Sequence, residues 1–144
     1  MSCWFWDHEV LQLGKLVRKL KNIFQKVEGL HREFARAGAD VMQAFTFYAS
    51  DDKLDNRGNM AGKLYTGSAI NMRASELAKK VADETGGLTL GGICQCPTYL
   101  SGAGKEAVQE EFRKQINVFV EAGLDFLLCE VTLSSVMMSI SGFY

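Results

Sequence analysis

Two places in this sequence combine side chains able to hold a charged small molecule: the aromatic pair Phe47-Tyr48 and the carboxylate Glu130, each near the end of a mostly apolar run. Aromatic faces attract organic cations, and a carboxylate is the natural partner of an ammonium group. Core packing is the competing reading for the two aromatics. It is weaker for Glu130, because a carboxylate at the end of an apolar strand is rarely buried without a partner. Gln95 follows another apolar run at a comparable position.

The remaining reactive side chains form no constellation. Cys94-x-Cys96 has one intervening residue, whereas structural zinc pairs usually have at least two and need a second pair elsewhere. These read as ordinary thiols. His31 falls on a predicted long helix and His8 near the chain start, neither beside a residue that would make it a nucleophile's base or a ligand. Gly102-Ala103-Gly104 lacks the Lys-Ser/Thr that follows a phosphate-binding loop.

Positioning these groups requires an alternation of helices and strands. Leu13, Leu16, Leu20, Ile23, Val27, Leu30 and Phe34 alternate spacings of three and four, which predicts a long helix ending near Ala37 with one apolar seam, expected to pack on a sheet. Gly38 supplies the left-handed stop, and Val41 to Tyr48 reads as a strand buried on both faces. Ser50 is a candidate N-cap, with Asp51 and Asp52 in the first turn of a short helix. Next come a helix capped by Ser68, with Ile70, Ala74, Leu77 and Val81 on one face, a Gly86-Gly87 stop and a strand from Leu88 to Ile93. A third helix runs from about Lys105, turns Val108, Phe112, Ile116 and Phe119 inward and stops at Gly123; Leu124 to Val131 is the third strand.

Ala37-Gly38-Ala39-Asp40-Val41 and Ala122-Gly123-Leu124-Asp125-Phe126 repeat one helix-to-strand joint. Strict alternation with such short joints predicts βα units and a parallel sheet. In parallel α/β folds the strand C-termini share one rim, and ligands bind there. Phe47, Tyr48, Gln95 and Glu130 are all placed at that rim.

Length and composition bound the function. A chain of 144 residues is one ordinary domain, and 47% hydrophobic with 23% charged residues is a globular composition. A net charge of −1 gives no global reason to expect a nucleic-acid partner. Lys15, Arg18, Lys19, Lys21 and Lys26 read as the solvated face of the first helix. Four cysteines without a disulfide framework, and an opening without secretory-signal features, suggest a reducing, cytoplasmic setting. The uncharged stretch from Val131 to Tyr144 is too short to span a bilayer.

The run Leu30 to Leu54, continued by Asn56-Arg57-Gly58-Asn59, Val81-Ala82-Asp83-Glu84, Gly91-Gly92, Pro97-Thr98-Tyr99-Leu100-Ser101 and Asp125-Phe126-Leu127-Leu128-Cys129-Glu130, closely resembles the betaine–homocysteine S-methyltransferases. That resemblance implies an α/β fold forming part of a (β/α)8 TIM barrel, with three parallel strands alternating with helices. It also implies methyl transfer from betaine to homocysteine, assisted by zinc and giving methionine and dimethylglycine. By the same resemblance Phe47 and Tyr48 match an aromatic pair near betaine, and Glu130 a glutamate that contacts the amino-acid substrate.

The resemblance divides the chain into a divergent leader with the start of the long helix (1–29), a homocysteine-binding partial barrel (30–130) and an unmatched apolar tail (131–144). A complete barrel takes about 250 residues. The family's zinc is held by three cysteines on later strands, and no cysteine follows Cys129 here; the family's first strand, with its Asp-Gly-Gly turn, is also missing. Ala44 replaces a threonine and Val131 a tyrosine. The expectation is therefore a chain inactive by itself, with homocysteine and betaine as its small-molecule substrates by resemblance. The alternative is a non-catalytic interaction module or truncated gene product, self-associating or paired with a full-length relative, because three strands leave both sheet edges unpaired.

Overall fold

A computed structural model describes residues 22–56 and 64–130. The seam positions Leu13, Leu16 and Leu20, the leader residues Cys3 and His8, and the stretch from Val131 lie outside those residues.

Within the described residues α1 occupies 22–36, followed by β1 (Val41–Gln43), α2 (Asp51–Asn56), α3 (Gly67–Thr85), β2 (Leu88–Cys94), a single 3-10 turn (Pro97–Tyr99), α4 (Lys105–Glu121) and β3 (Phe126–Glu130). The strands form one parallel sheet in the order β1-β2-β3. Val41 pairs with Leu88, Leu90 with Phe126 and Cys94 with Glu130.

The repeated joint is a structural repeat as well. Gly38 and Gly123 both take left-handed backbone angles, φ 93° and 68°. Each donates to the carbonyl three residues back (Ala35, Val120), and the next residue donates to the carbonyl five back, Ala39 to Phe34 and Leu124 to Phe119. A glycine there ends the helix without a Cβ clash and turns the chain into the strand.

Two core clusters lie between the sheet and its helices. Met42 and Ala44 meet Ala74, Ala78, Val81 and Ala82 of α3, and Ile93 and Cys96 meet Val108, Phe112 and Phe119 of α4. Gly91 permits the second contact, since a Cβ there would stand 2.7 Å from the Phe119 ring.

The first strand differs from its sequence reading. It is short, and its neighbourhood alternates: Met42, Ala44 and Thr46 are buried, whereas Val41, Phe45 and Phe47 are exposed, Phe45 to 72%. Helices cover one face of the sheet, and the opposite face carries the exposed side chains Val41, Leu88, Phe126 and Leu128. The seam of α1 likewise does not pack on the sheet; Leu30 and Phe34 are 52% and 54% exposed. The opposite, polar side anchors this helix. Arg32 makes a two-pronged contact with Glu84 of α3 at 2.8 Å and also bonds Glu28, which accepts Lys80 at 2.7 Å. These ion pairs hold Glu28 and Glu84 below the usual carboxylate range.

Candidate substrate-binding rim

The residues singled out by the sequence lie at or just past the C-terminal ends of the strands. Phe47 and Tyr48 follow β1 in a turn closed by the Ala49 N–H donating to the Thr46 carbonyl at 3.1 Å. The buried Thr46 hydroxyl donates to the Gly92 carbonyl at 2.9 Å, fastening this exit to β2. Gln95 comes one residue after β2, and Glu130 is the last residue of β3, its backbone paired with Cys94. All four therefore end or follow strands at one rim, with Cys94 and Glu130 in register.

Phe47 and Tyr48 are not core residues. Both are exposed, and their rings meet edge to face, with centroids 4.7 Å apart at 85°. A cation already sits over them: the Lys53 ammonium of α2 lies 4.5 Å from the Tyr48 ring centroid and 5.5 Å from that of Phe47. Both distances are within cation–π range.

The loops around this aromatic pair are tied together by groups that the sequence reading assigned to other work. Asp51 and Asp52 do open α2, but their carboxylates reach across the rim. Asp51 accepts the Gly67 N–H at 2.5 Å, while Asp52 accepts the Thr98 N–H at 3.0 Å and its hydroxyl at 2.8 Å. Gly67 has no room for a side chain, since a Cβ would lie 2.5 Å from the Ala49 carbonyl oxygen. Ser50 precedes α2, but its buried hydroxyl has no partner among the described residues, so it does not cap. The cap of α3 is Thr66, whose hydroxyl accepts the Ala69 N–H at 3.1 Å, and not Ser68. Gln115 of α4, unremarked in the sequence, is buried against the end of β2. Its Oε1 accepts the Cys94 N–H at 2.9 Å and its thiol at 3.3 Å.

The two neighbouring cysteines do not suit a metal. Cys94 gives its thiol hydrogen to Gln115, and Cys96 is fully buried in the α4 core. Burial pushes the Cys129 thiol pKa up, away from the thiolate that a metal requires. Among the described residues no three His, Cys, Asp or Glu side chains gather as a metal site. His31 is buried on α1. Among these residues, too, no helix is long and apolar enough to cross a membrane.

A family profile described as homocysteine S-methyltransferase matches residues 2–139. The chain belongs to that family. Over 106 residues, 74% of this chain, it is 51% identical to betaine–homocysteine S-methyltransferase 1 of Xenopus tropicalis and 48% identical to that of Sus scrofa. It spans 26% and 38% of their lengths. The metallated and oxidized forms of the Escherichia coli homocysteine methyltransferase MmuM share its fold. Their TM-scores are 0.57 and 0.60 at 24% and 23% identity, over 72% and 90% of this chain and 41% and 46% of theirs. The fold class expected from the sequence, part of a homocysteine methyltransferase barrel, thus holds.

Proposed function

We propose that this chain supplies part of the betaine and homocysteine rim of a betaine–homocysteine S-methyltransferase, and does not transfer the methyl group unaided. The observation that carries this reading is the Phe47-Tyr48 pair with the Lys53 ammonium 4.5 Å over Tyr48, a seat already suited to a cation. A trimethylammonium group has no N–H to donate, so aromatic faces are the means of holding it. Glu130, on the same rim, is the proposed partner of the homocysteine ammonium. Among the described residues no thiolate set for the zinc of the family reading gathers, and Cys94 and Cys96 are committed to the core. Without thiolate activation the attacking sulfur stays largely protonated near neutral pH. The homocysteine-binding segment at 30–130 carries these contacts in this reading, and the unbridged cysteines Cys94, Cys96 and Cys129 suit a cytoplasmic setting.

Betaine titrated into the full chain, followed by NMR of the aromatic ring protons, tests the seat. Saturable shifts on Phe47 and Tyr48, lost in Tyr48→Ala, are expected. Shifts that never saturate, or that persist in Tyr48→Ala, would overturn it. Homocysteine titrated into the wild type and Glu130→Gln tests the second contact in the same way.

A second reading is favoured by the uncovered sheet face. Val41, Phe45, Leu88, Phe126 and Leu128 form an apolar surface of the kind that marks an association site. Association with a full-length relative would cover it. Co-purification as a complex of defined mass would support this, and a chain that stays monomeric beside the relative would not.

A further inference from the structure

A polar cavity of about 10 Å³ adjoins the segment that follows the aromatic pair, where the starts of α2 and α3 meet α4, with Ala49, Ser50, Asp51, Asn71, Glu111 and Lys114 among its walls. Ser50 and Asn71 are each only 2% exposed, and neither the Ser50 hydroxyl nor the Asn71 Oδ1 has a hydrogen-bond partner among the described residues. The Asn71 amide is oriented from its other side: Nδ2 donates to the Ala49 carbonyl at 3.2 Å, and the reversed amide would set oxygen against oxygen. A buried oxygen left unmet is costly, and native structures commonly meet such groups with an ordered water.

Charge decides the class of occupant. The Asp51 and Glu111 carboxylates at the walls disfavour an anion, and the Lys114 ammonium disfavours a cation. Those charges are also engaged already: Asp51 accepts the Gly67 N–H, and Glu111 accepts Lys114, both at 2.5 Å. What fits is a neutral molecule able to donate to Oδ1 and to exchange a hydrogen bond with a hydroxyl, and the cavity has about the room of one water. We propose that a single water is bound here and bridges Ser50 to Asn71. It donates to the Asn71 Oδ1 and bonds the Ser50 hydroxyl, so the backbone just past Tyr48 is held to α3 twice, directly at Ala49 and through the water at Ser50. Its role is to fix the exit of the aromatic pair from behind, whatever ligand the rim takes.

Oxygen-17 magnetic relaxation dispersion on the full native chain counts its long-lived waters. The wild type is expected to hold one more than Ser50→Val, whose added methyl groups take up the space, and one more than Asn71→Leu, which removes the acceptor at similar size. In Ser50→Val the Ala49 amide resonance should shift while those of β3 stay. Equal counts in the folded proteins would overturn the proposal and show that another group of the chain meets both oxygens. A second measurement depends on neither variant folding. Water cross-peaks to the Asn71 side-chain amide, of the sign given by a molecule tumbling with the protein, are expected in the wild type and in Ser50→Ala, which removes the exchanging hydroxyl. Their absence from the wild type would overturn the proposal, and so would their loss in Ser50→Ala, which would assign the signal to the hydroxyl itself. A melting temperature raised by potassium or sodium over Tris chloride in the wild type, and not in Ser50→Val, would overturn it too by placing a metal cation in the cavity.

Discussion

Lys53 of α2 holds its ammonium 4.5 Å from the ring centroid of Tyr48 and 5.5 Å from that of Phe47. The aromatic pair is thus already engaged with a cation from its own chain. A soluble cation binding on the same faces must displace it or share the ring edges, and the partly exposed lysine is the competitor. Removing that competitor by Lys53→Ala should tighten binding of a trimethylammonium ligand. An exposed cation–π contact is worth about 0.5–1 kcal/mol, or roughly a two- to five-fold change in Kd. NMR titrations of wild type and Lys53→Ala with betaine check it; equal or weaker binding in the variant would mean that Lys53 helps the site.

Gly91 is fixed by the ring it faces. A Cβ at this position would stand 2.7 Å from Phe119 Cγ, and Phe119 is fully buried under α4. Gly91→Ala is expected to destabilise the chain by about 1–3 kcal/mol through overpacking. Adding Phe119→Leu should recover part of that loss, so that the double variant is more stable than the two single effects sum to. Urea midpoints of the four proteins decide it, and strict additivity would place the strain elsewhere.

Gln115 accepts from both the N–H and the thiol of Cys94 at the buried end of β2, so its loss should be felt at the rim. Gln115→Leu removes the acceptor of the Cys94 N–H. A buried donor left unsatisfied costs about 1–3 kcal/mol. Faster amide exchange at Cys94, with α3 unchanged, is the expected sign. Unaltered exchange at Cys94 would show that another group takes over the bond.

The helix-to-strand joints were legible in the sequence because their cause is local: Gly38 and Gly123 are needed by the backbone itself. The inward faces of α3 and α4 followed from spacing, and Ala74, Leu77, Val81, Val108, Phe112 and Phe119 are buried as expected. Spacing also found the apolar seam of α1, but a pattern cannot say what covers a face, and the ion pairs of Arg32 and Glu28 turned that helix the other way. The rim ties were hidden for a similar reason. Asp52 and Thr98 are 46 residues apart, and only the fold brings them together.

The cap of α3 separates local reading from structure in a single comparison. Thr66 and Ser68 are two residues apart and both carry hydroxyls, but the close approach of Gly67 to the Ala49 carbonyl fixes the helix start, and the Thr66 hydroxyl accepts the Ala69 N–H. Thr66→Ala should cost about 1 kcal/mol. Ser68→Ala should be close to neutral. A thermal or urea melt in which Ser68→Ala is the more damaging change would restore the sequence reading.

Asp125 sets an acid limit on stability. Its carboxylate accepts both the hydroxyl and the N–H of Thr89 at 2.7 Å, and these two bonds hold its pKa below the usual aspartate range. A lowered folded-state pKa means that the unfolded chain binds the proton first as pH falls. The contribution of Asp125 is therefore complete above its unfolded pKa, declines as pH drops below that value, and is gone once pH passes the folded one. Asp125→Asn should lower the urea midpoint at neutral pH and flatten the acid side of the stability profile, so that the wild type and variant curves converge at low pH. Curves that stay parallel to the lowest pH would show that the carboxylate's charge contributes nothing and that only its shape fits the joint between α4 and β3.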